Sequence, residues 1–194
     1  MCGAIHDFVL VRRKQDMEVF RTLAAENGIT KLRTLTRGGD TRTESVLAGV
    51  SAASEACALV AVHDGARPLV SDEVITQAVD EAAKTGAAAP VVPVKDSIKR
   101  IENGKIAADV PRDTLAAVQT PQVFRAELLR RAYETEYRPE FTDDASVVEL
   151  SGEAVFLCEG ERANLKITTP EDTVIAEALL ADREETHETD GENI

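Results

Sequence analysis

Short apolar runs alternate with segments of helical periodicity along almost the whole chain, and that alternation leaves few folds open. Ile5 to Val11 is apolar and carries Phe and Val, as a strand does. Lys31 to Leu35 is a shorter strand candidate, Ala58 to Val62 is a continuous apolar run of the kind buried in parallel sheets, and Ala154 to Cys158 is a late strand. Helical segments lie between them. Asp16 is expected to cap a helix carrying Val19, Phe20, Leu23 and Ala24 on one face, and Asn27-Gly28 to stop it. Thr41 and Glu44 have capping-box spacing ahead of Val46, Leu47 and Val50. Ser71 caps a helix with Val74, Ile75, Ala78, Val79 and Ala82 at helical spacing, and Val123 to Tyr133 and Asp144 to Leu150 also read as helical. Thr169-Pro170-Glu171-Asp172 opens a last helix whose Val174, Ile175, Ala178 and Leu179 should face the core. Ala87 to Val94 is apolar, but Pro90 and Pro93 argue against a regular central strand throughout.

One segment breaks the pattern. Asn103-Gly104, within Ser97 to Val110, is a strong hairpin signal, and the imperfect alternation around it predicts an exposed arm over about 94–115. The expected fold is therefore α/β and Rossmann-like: a mostly parallel sheet flanked by helices, with a protruding β-hairpin arm. A single domain is expected over 4–181, followed by an acidic, disordered tail at 182–194. In such folds ligands sit beyond the carboxyl ends of strands.

Charge narrows the partners. Lys and Arg number 22 against 35 Asp and Glu, a net −13. No basic field exists to hold nucleic acid or an anionic membrane, so an anionic small molecule would need locally gathered Arg and Lys. Cys2, Cys57 and Cys158 are distant from one another and make no C-x-x-C, so free thiols are expected rather than a zinc site or disulfides. No apolar run approaches roughly 18 residues, and the first residues do not resemble a signal peptide, so a cytoplasmic location is expected.

The segments after the strand candidates are polar and specific. Arg37-Gly38-Gly39-Asp40 precedes the Thr41 cap, and its glycines would let backbone N–H groups approach a ligand, or simply make an ordinary turn. After Val62 comes His63-Asp64-Gly65-Ala66-Arg67-Pro68. A carboxylate there can hold Mg²⁺ beside phosphates while Arg67 offers a phosphate fork; the plainer reading is an Asp-Gly turn with a surface Arg. His63 suits a packed, hydrogen-bonded role better than that of a base. Thr120-Pro121-Gln122 and Thr142-Asp143-Asp144 each precede a helix and read as caps or as site residues. Asp143 and Asp144 suggest either a second metal site or dipole partners. Lys166 stands alone ahead of the final helix.

In order, Gly38-Gly39-Asp40 with Arg42 and Ser45-Val46, Val62 to Pro68, Pro93-Val94-Lys95-Asp96-Ser97-Ile98-Lys99, Gln119 to Gln122, Thr142 to Ser146, and Asn164-Leu165-Lys166-Ile167-Thr168 resemble the 2-C-methyl-D-erythritol 4-phosphate cytidylyltransferases. The resemblance spans about Ile5 to Leu180, and ribitol-5-phosphate cytidylyltransferases share much of it. It implies a cytosine and ribose shelf at Gly39, Asp40 and Ser45, and a Mg²⁺ ligand at Asp64 with Gly65 and Arg67 in the same pocket. It implies substrate contacts at Ser97, Arg112, Thr120 and Thr142, with Arg112 and Thr120 on the acceptor's phosphate and polyol, and a phosphate contact at Lys166. Ser97, where the family usually has Thr, and Arg112 lie on the arm, which in this family reaches into a partner subunit. A homodimer and catalytic roles for Asp64, Lys166 and Arg112 follow from the resemblance, with CTP and a polyol phosphate as partners.

The sequence departs from the family at its start. Family members open with a strand, a Gly-rich loop bearing a catalytic Arg, and a Lys in a Pro-Lys-Gln stretch, on the order of 30 residues. Only Met1 to Ala4 precede Ile5 here, and neither G-x-G-x-x-G nor G-x-x-x-x-G-K occurs anywhere. Arg12, Arg13 and Lys14 follow the first strand but match no family motif. The fold is thus expected to be the nucleotidyltransferase type, N-terminally truncated. Three functional readings follow: cytidylyl transfer to methylerythritol phosphate or to ribitol phosphate, an impaired nucleotide-binding pseudoenzyme, or an unrelated phosphohydrolase using Asp64 and Asp143.

Overall fold

A computed structural model describes residues 2–134 and 141–191. It opens with β1 (Phe8–Arg12), followed by the helix α1 (Met17–Glu26) and by β2 (Leu32–Arg37), which pairs in parallel with β1 from Phe8↔Leu32 to Arg12↔Arg37. Asp16 does not cap α1 with its side chain; its carboxylate instead takes Arg13 Nε at 3.0 Å. Next come α2 (Arg42–Ala52), β3 (Leu59–Val62), α3 (Asp72–Thr85) and β4 (Ala87–Pro93). The capping box of α2 forms as expected: Thr41 accepts from Glu44 N–H, and Glu44 reaches back to Thr41 N–H. Ser71 caps α3.

The arm is the antiparallel pair β5 (Ile98–Glu102) and β6 (Lys105–Val110). Asn103 and Gly104 make its turn with φ of 49° and 74°, the left-handed region that this dipeptide tolerates. After the arm, β7 (Ala116–Val118) runs back along β4 antiparallel. The chain then forms β8 (Gln122–Arg125), α4 (Ala126–Ala132), α5 (Asp144–Leu150), β9 (Phe156–Glu159) and α6 (Pro170–Gly191).

The sheet is mixed, a correction to the mostly parallel expectation. Its order is β3-β8-β4, with β7 continuing along the β8 side of β4 and β9 on the other; β8 is antiparallel to both β3 and β4, whereas β9 is parallel to β4. The cause lies in Val123 to Tyr133, whose first residues are strand rather than helix. A helical crossover returns a chain parallel; the arm is a hairpin excursion and returns it antiparallel. β4 is also regular and central despite its prolines. Pro90 falls between the β8 and β7 ladders, so the N–H it lacks faces the gap between them, and its carbonyl still accepts Gln119 N–H at 2.8 Å on that side.

Helices cover both faces. Ala87 and Phe124 pack with Leu129, Val147, Val148 and Val50, while their neighbours Ala88 and Val123 pack with Ala78 and Ala82 of α3. That period-two division is what two-sided burial requires. Among the described residues no ladder joins β1 to β3; α2 bridges the two sheets, lying on β1 and β2 and packing Val46 and Val50 against Val60 and Val62. The α6 expectation is overturned in part: Val174, Ile175 and Ala178 are exposed and Leu179 is half-buried, while Ala176 is buried instead. The backbone of α6 runs as helix to Gly191, through most of the segment expected to be a disordered tail; 192–194 lie outside the described residues.

Candidate active site

Beyond the carboxyl end of β3 lies a cavity of about 410 Å³, lined among others by Arg42, Asp64, Arg67, Thr120, Thr142 and Lys166. Asp64 is its focus. One carboxylate oxygen lies 2.9 Å from Lys166 Nζ and 3.6 Å from Arg67 Nε. Burial restricts this carboxylate to 20% exposure, so its attraction to two cations is less screened than on an open surface. The turn reading of the Asp-Gly segment is true of its backbone, since Arg67 N–H donates to Asp64 O. It does not explain the two cations.

Long-range hydrogen bonds set the position of Asp64. Its N–H donates to Thr120 Oγ1 at 3.0 Å, and Thr120 Oγ1 lies 3.0 Å from His63 Nδ1. Thr120 accepts the amide proton, so its own proton is free for Nδ1, and Nε2–H then donates to Arg67 O at 3.1 Å. Burial lowers the His63 pKa, and the Arg67 charge adds to that, which suits this neutral tautomer. His63 thus holds the loop, as its packed reading anticipated. Lys166 arrives on the segment after β9, which is tied to the Asp64 loop: Ile167 N–H donates to Ala66 O at 2.8 Å, and Arg67 Nη1 donates to Asn164 O at 2.7 Å. Asn164, fully buried, donates from Nδ2 to Thr120 O.

Several buried polar residues take roles other than those the sequence suggested. Asp144 is fully buried and meets Arg42 through two bonds, at 3.1 and 2.5 Å, while Tyr133 OH also donates to it. Burial, then the Asp144 charge, push the Tyr133 hydroxyl well above its ordinary value. Arg42 and Asp144 stand 102 residues apart, so no local pattern could reveal the pair. Gln122 Oε1 accepts from the N–H groups of Asp144 and Ala145. Asp143 is a cap: Oδ1 accepts from Ser146 N–H and Oγ, and Oδ2 from Gln122 Nε2. With both oxygens engaged, it is poorly suited to a second metal or to a hydrolytic pair with Asp64.

A second cavity of about 280 Å³ opens beside the first strands, with Gly38, Gly39, Ser45 and Arg12 in its wall. A Cβ on Gly39 would stand 2.2 Å from Glu44 Cβ, so only glycine fits this turn. Gly38 N–H donates to Arg12 O and Asp40 N–H to Glu44, leaving Gly39 N–H, of these three, without a partner among the described residues. Gly39 and Ser45 are thus gathered at this cavity, while Asp40 is exposed at its rim. Gly65 stands between the two cavities. Ser97 and Arg112 are brought to neither: both are exposed on the arm, where Arg112 Nη1 donates to Lys95 O at 2.7 Å.

A helix-flanked α/β sheet with a hairpin arm, opening on a carboxylate clamped between Arg and Lys, is the arrangement expected above of a nucleotidyltransferase. Comparison with known proteins narrows the class. The family described as IspD, 2-C-methyl-D-erythritol 4-phosphate cytidylyltransferase, matches residues 2–182, and the chain belongs to that family. The 2-C-methyl-D-erythritol 4-phosphate cytidylyltransferase of Halalkalibacterium halodurans is 44% identical over 178 residues, covering 91% of this chain and 78% of that protein. The one from Bacteroides fragilis is 44% identical over 173 residues, covering 89% and 78%. Among solved structures, a 4-diphosphocytidyl-2C-methyl-D-erythritol synthase from Anaerococcus prevotii superposes with a TM-score of 0.81 at 30% identity, covering 91% of this chain and 79% of that one.

Proposed function

We propose that this chain transfers the cytidylyl group of CTP to 2-C-methyl-D-erythritol 4-phosphate, giving CDP-methylerythritol and pyrophosphate in isoprenoid biosynthesis. The observation that carries this reading is Asp64 between Lys166 and Arg67 in a cavity beyond the strand ends, in a chain of this family. The acceptor phosphate oxygen attacks the α-phosphorus in line, and pyrophosphate leaves. Two anions must meet, so the work of the protein is placement and charge neutralisation. Lys166 and Arg67 supply the charge, and Thr142 supplies a hydroxyl at the acceptor side of the cavity, while the Thr120 hydroxyl holds the Asp64 loop beside it. No nucleophilic side chain is needed.

Mg²⁺ fits this site. Among the described residues no cluster of three or more His, Cys, Asp or Glu could hold a metal alone. Magnesium, however, is commonly held by one or two carboxylates plus substrate phosphates, and Asp64 is such a carboxylate. Arg67 Nε makes no hydrogen bond and approaches Asp64 only to 3.6 Å, so its charge can be shared with a phosphate-bearing ligand. When bound, the metal would neutralise phosphate charge beside Asp64.

The arm supports a homodimer. Ile101 and Ile106 face each other across its ladder, are 69% and 70% exposed, and would be covered by a partner, which would also carry Ser97 and Arg112 to a neighbouring site. A cytoplasmic setting fits the three free cysteines. Among the described residues no helix is long and apolar enough to cross a membrane.

The test is product analysis with CTP, methylerythritol phosphate and Mg²⁺. Pyrophosphate and CDP-methylerythritol should appear in equal amounts. Release of inorganic phosphate as the first product, or no CTP-dependent product, would overturn the reading.

A further inference from the structure

The first strand ends on Arg12, which belongs to none of the family motifs. Its guanidinium lies across the C-terminal ends of β1 and β3. Cζ stands 4.0 Å from the centroid of the Phe20 ring of α1, so ring stacking holds the guanidinium in place. Nη2 lies 3.4 Å from where a Cβ on Gly65 would be, so the guanidinium stands within contact range of the Asp64–Arg67 loop. Nε is buried and has no hydrogen-bond partner. No described carboxylate pairs with Arg12, although the chain carries a net charge of −13. The carboxylate that shares its cavity, Asp16, is taken by Arg13 at 3.0 Å. A shielded guanidinium with unused donors in an acidic protein requires a reason.

Position supplies the reason. Arg12 lines the cavity of Gly38, Gly39 and Ser45 and at the same time reaches Gly65, next to the carboxylate of the other cavity. A nucleotide with its base and sugar in the first and its phosphates in the second must pass this side chain. A planar fork suits phosphate oxygens better than any other group that would pass there.

We propose that Arg12 is a nucleotide-binding residue whose guanidinium donates to a phosphate oxygen of CTP at the junction of the two cavities. This rests on the CTP reading of the site. The alternative is that Arg12 merely packs on Phe20.

Calorimetric titration of CTP and of cytidine, with Mg²⁺, into the wild type, Arg12→Met and Arg12→Lys separates the two. Arg12→Met keeps an unbranched stem over Phe20 and should bind CTP about 10-fold more weakly, the worth of one charge-assisted hydrogen bond. Its affinity for cytidine, which has no phosphate, should not change. Arg12→Lys should lose only about 3-fold toward CTP, since it keeps the charge without the fork. The gap between wild type and Arg12→Met should narrow as salt rises. Unchanged CTP affinity in Arg12→Met overturns the proposal, and so does an equal loss toward CTP and cytidine, the signature of a packing role. If Arg12→Met does not fold, Arg12→Lys decides by the same comparison. A wild type that binds no CTP defeats both this proposal and the reading it rests on. Arg12-dependent CTP binding without pyrophosphate release would defeat the proposed reaction alone.

Discussion

Asp64 and Asp144 show how differently two carboxylates are used, one lining the cavity and one buried beside its wall. Asp64 is partly exposed, and one of its two cations, Arg67, is held by a separate bond to Asn164 O, so the carboxylate is available to a ligand. Asp64→Asn should lower the rate of pyrophosphate release by about 10²-fold or more. It should move the melting temperature little, because the backbone bond to Thr120 remains; parallel kinetic and thermal measurements check both halves. Asp144 is fully buried and joins the start of α2 to that of α5 through Arg42. Asp144→Ala should cost about 1–3 kcal/mol in urea denaturation, less than the largest losses seen for broken buried pairs. Arg42 is 37% exposed and can turn toward water once its partner is gone. Of these two residues, Asp64 was legible from its place after an apolar strand. The role of Asp144 was not, because its partners lie far away in sequence.

At the scale of elements, the arm has the clearest consequence. Isolated two-stranded hairpins are marginal in water, and this one leaves Ile101 and Ile106 uncovered. A second copy of the chain would cover them, and two-fold dimers are the commonest assemblies. Deleting Lys99 to Asp109 should therefore yield a monomer in sedimentation velocity, and an unchanged oligomer would rule out the arm as the main interface. The hairpin was readable in advance because Asn-Gly turns depend on local backbone preference. Strand β8 was not. Val123 and Phe124 are equally apolar as strand or helix, and only packing between β3 and β4 decides between them.

For the whole molecule, helix caps link stability to acid. Burial alone would raise the Asp143 carboxyl, but hydrogen bonds from Ser146 and Gln122 hold it below its ordinary value. Hydrogen bonds from Thr168 and Thr169 hold Asp172 low as well. A carboxyl whose folded-state pKa is depressed binds its proton more readily in the unfolded chain. Its contribution is present above the unfolded value and is lost as pH falls through the folded one. The melting temperature should therefore drop as pH falls below about 4. Asp143→Asn keeps an acceptor for Ser146 yet cannot titrate in this range, so it should flatten part of that drop in scanning calorimetry between pH 6 and 3.

The chain's own order of residues determined whatever depends on near neighbours. The alternation of apolar runs and amphipathic segments set the α/β class, Thr41 with Glu44 set a helix start, and Asn103-Gly104 set the arm. Asp64, Arg67, Thr120 and Lys166 were nominated by their motifs, and the fold brings them into one cavity. Tertiary structure decided the rest. It turned β8 antiparallel because the arm returns the chain without a crossover, left Val174 and Ile175 of α6 exposed, and buried Asp144 against Arg42. It also drew Arg12 across to Gly65. These outcomes hang on contacts between residues tens of positions apart, where hydrophobic burial and charge pairing act through space and leave no period in the sequence.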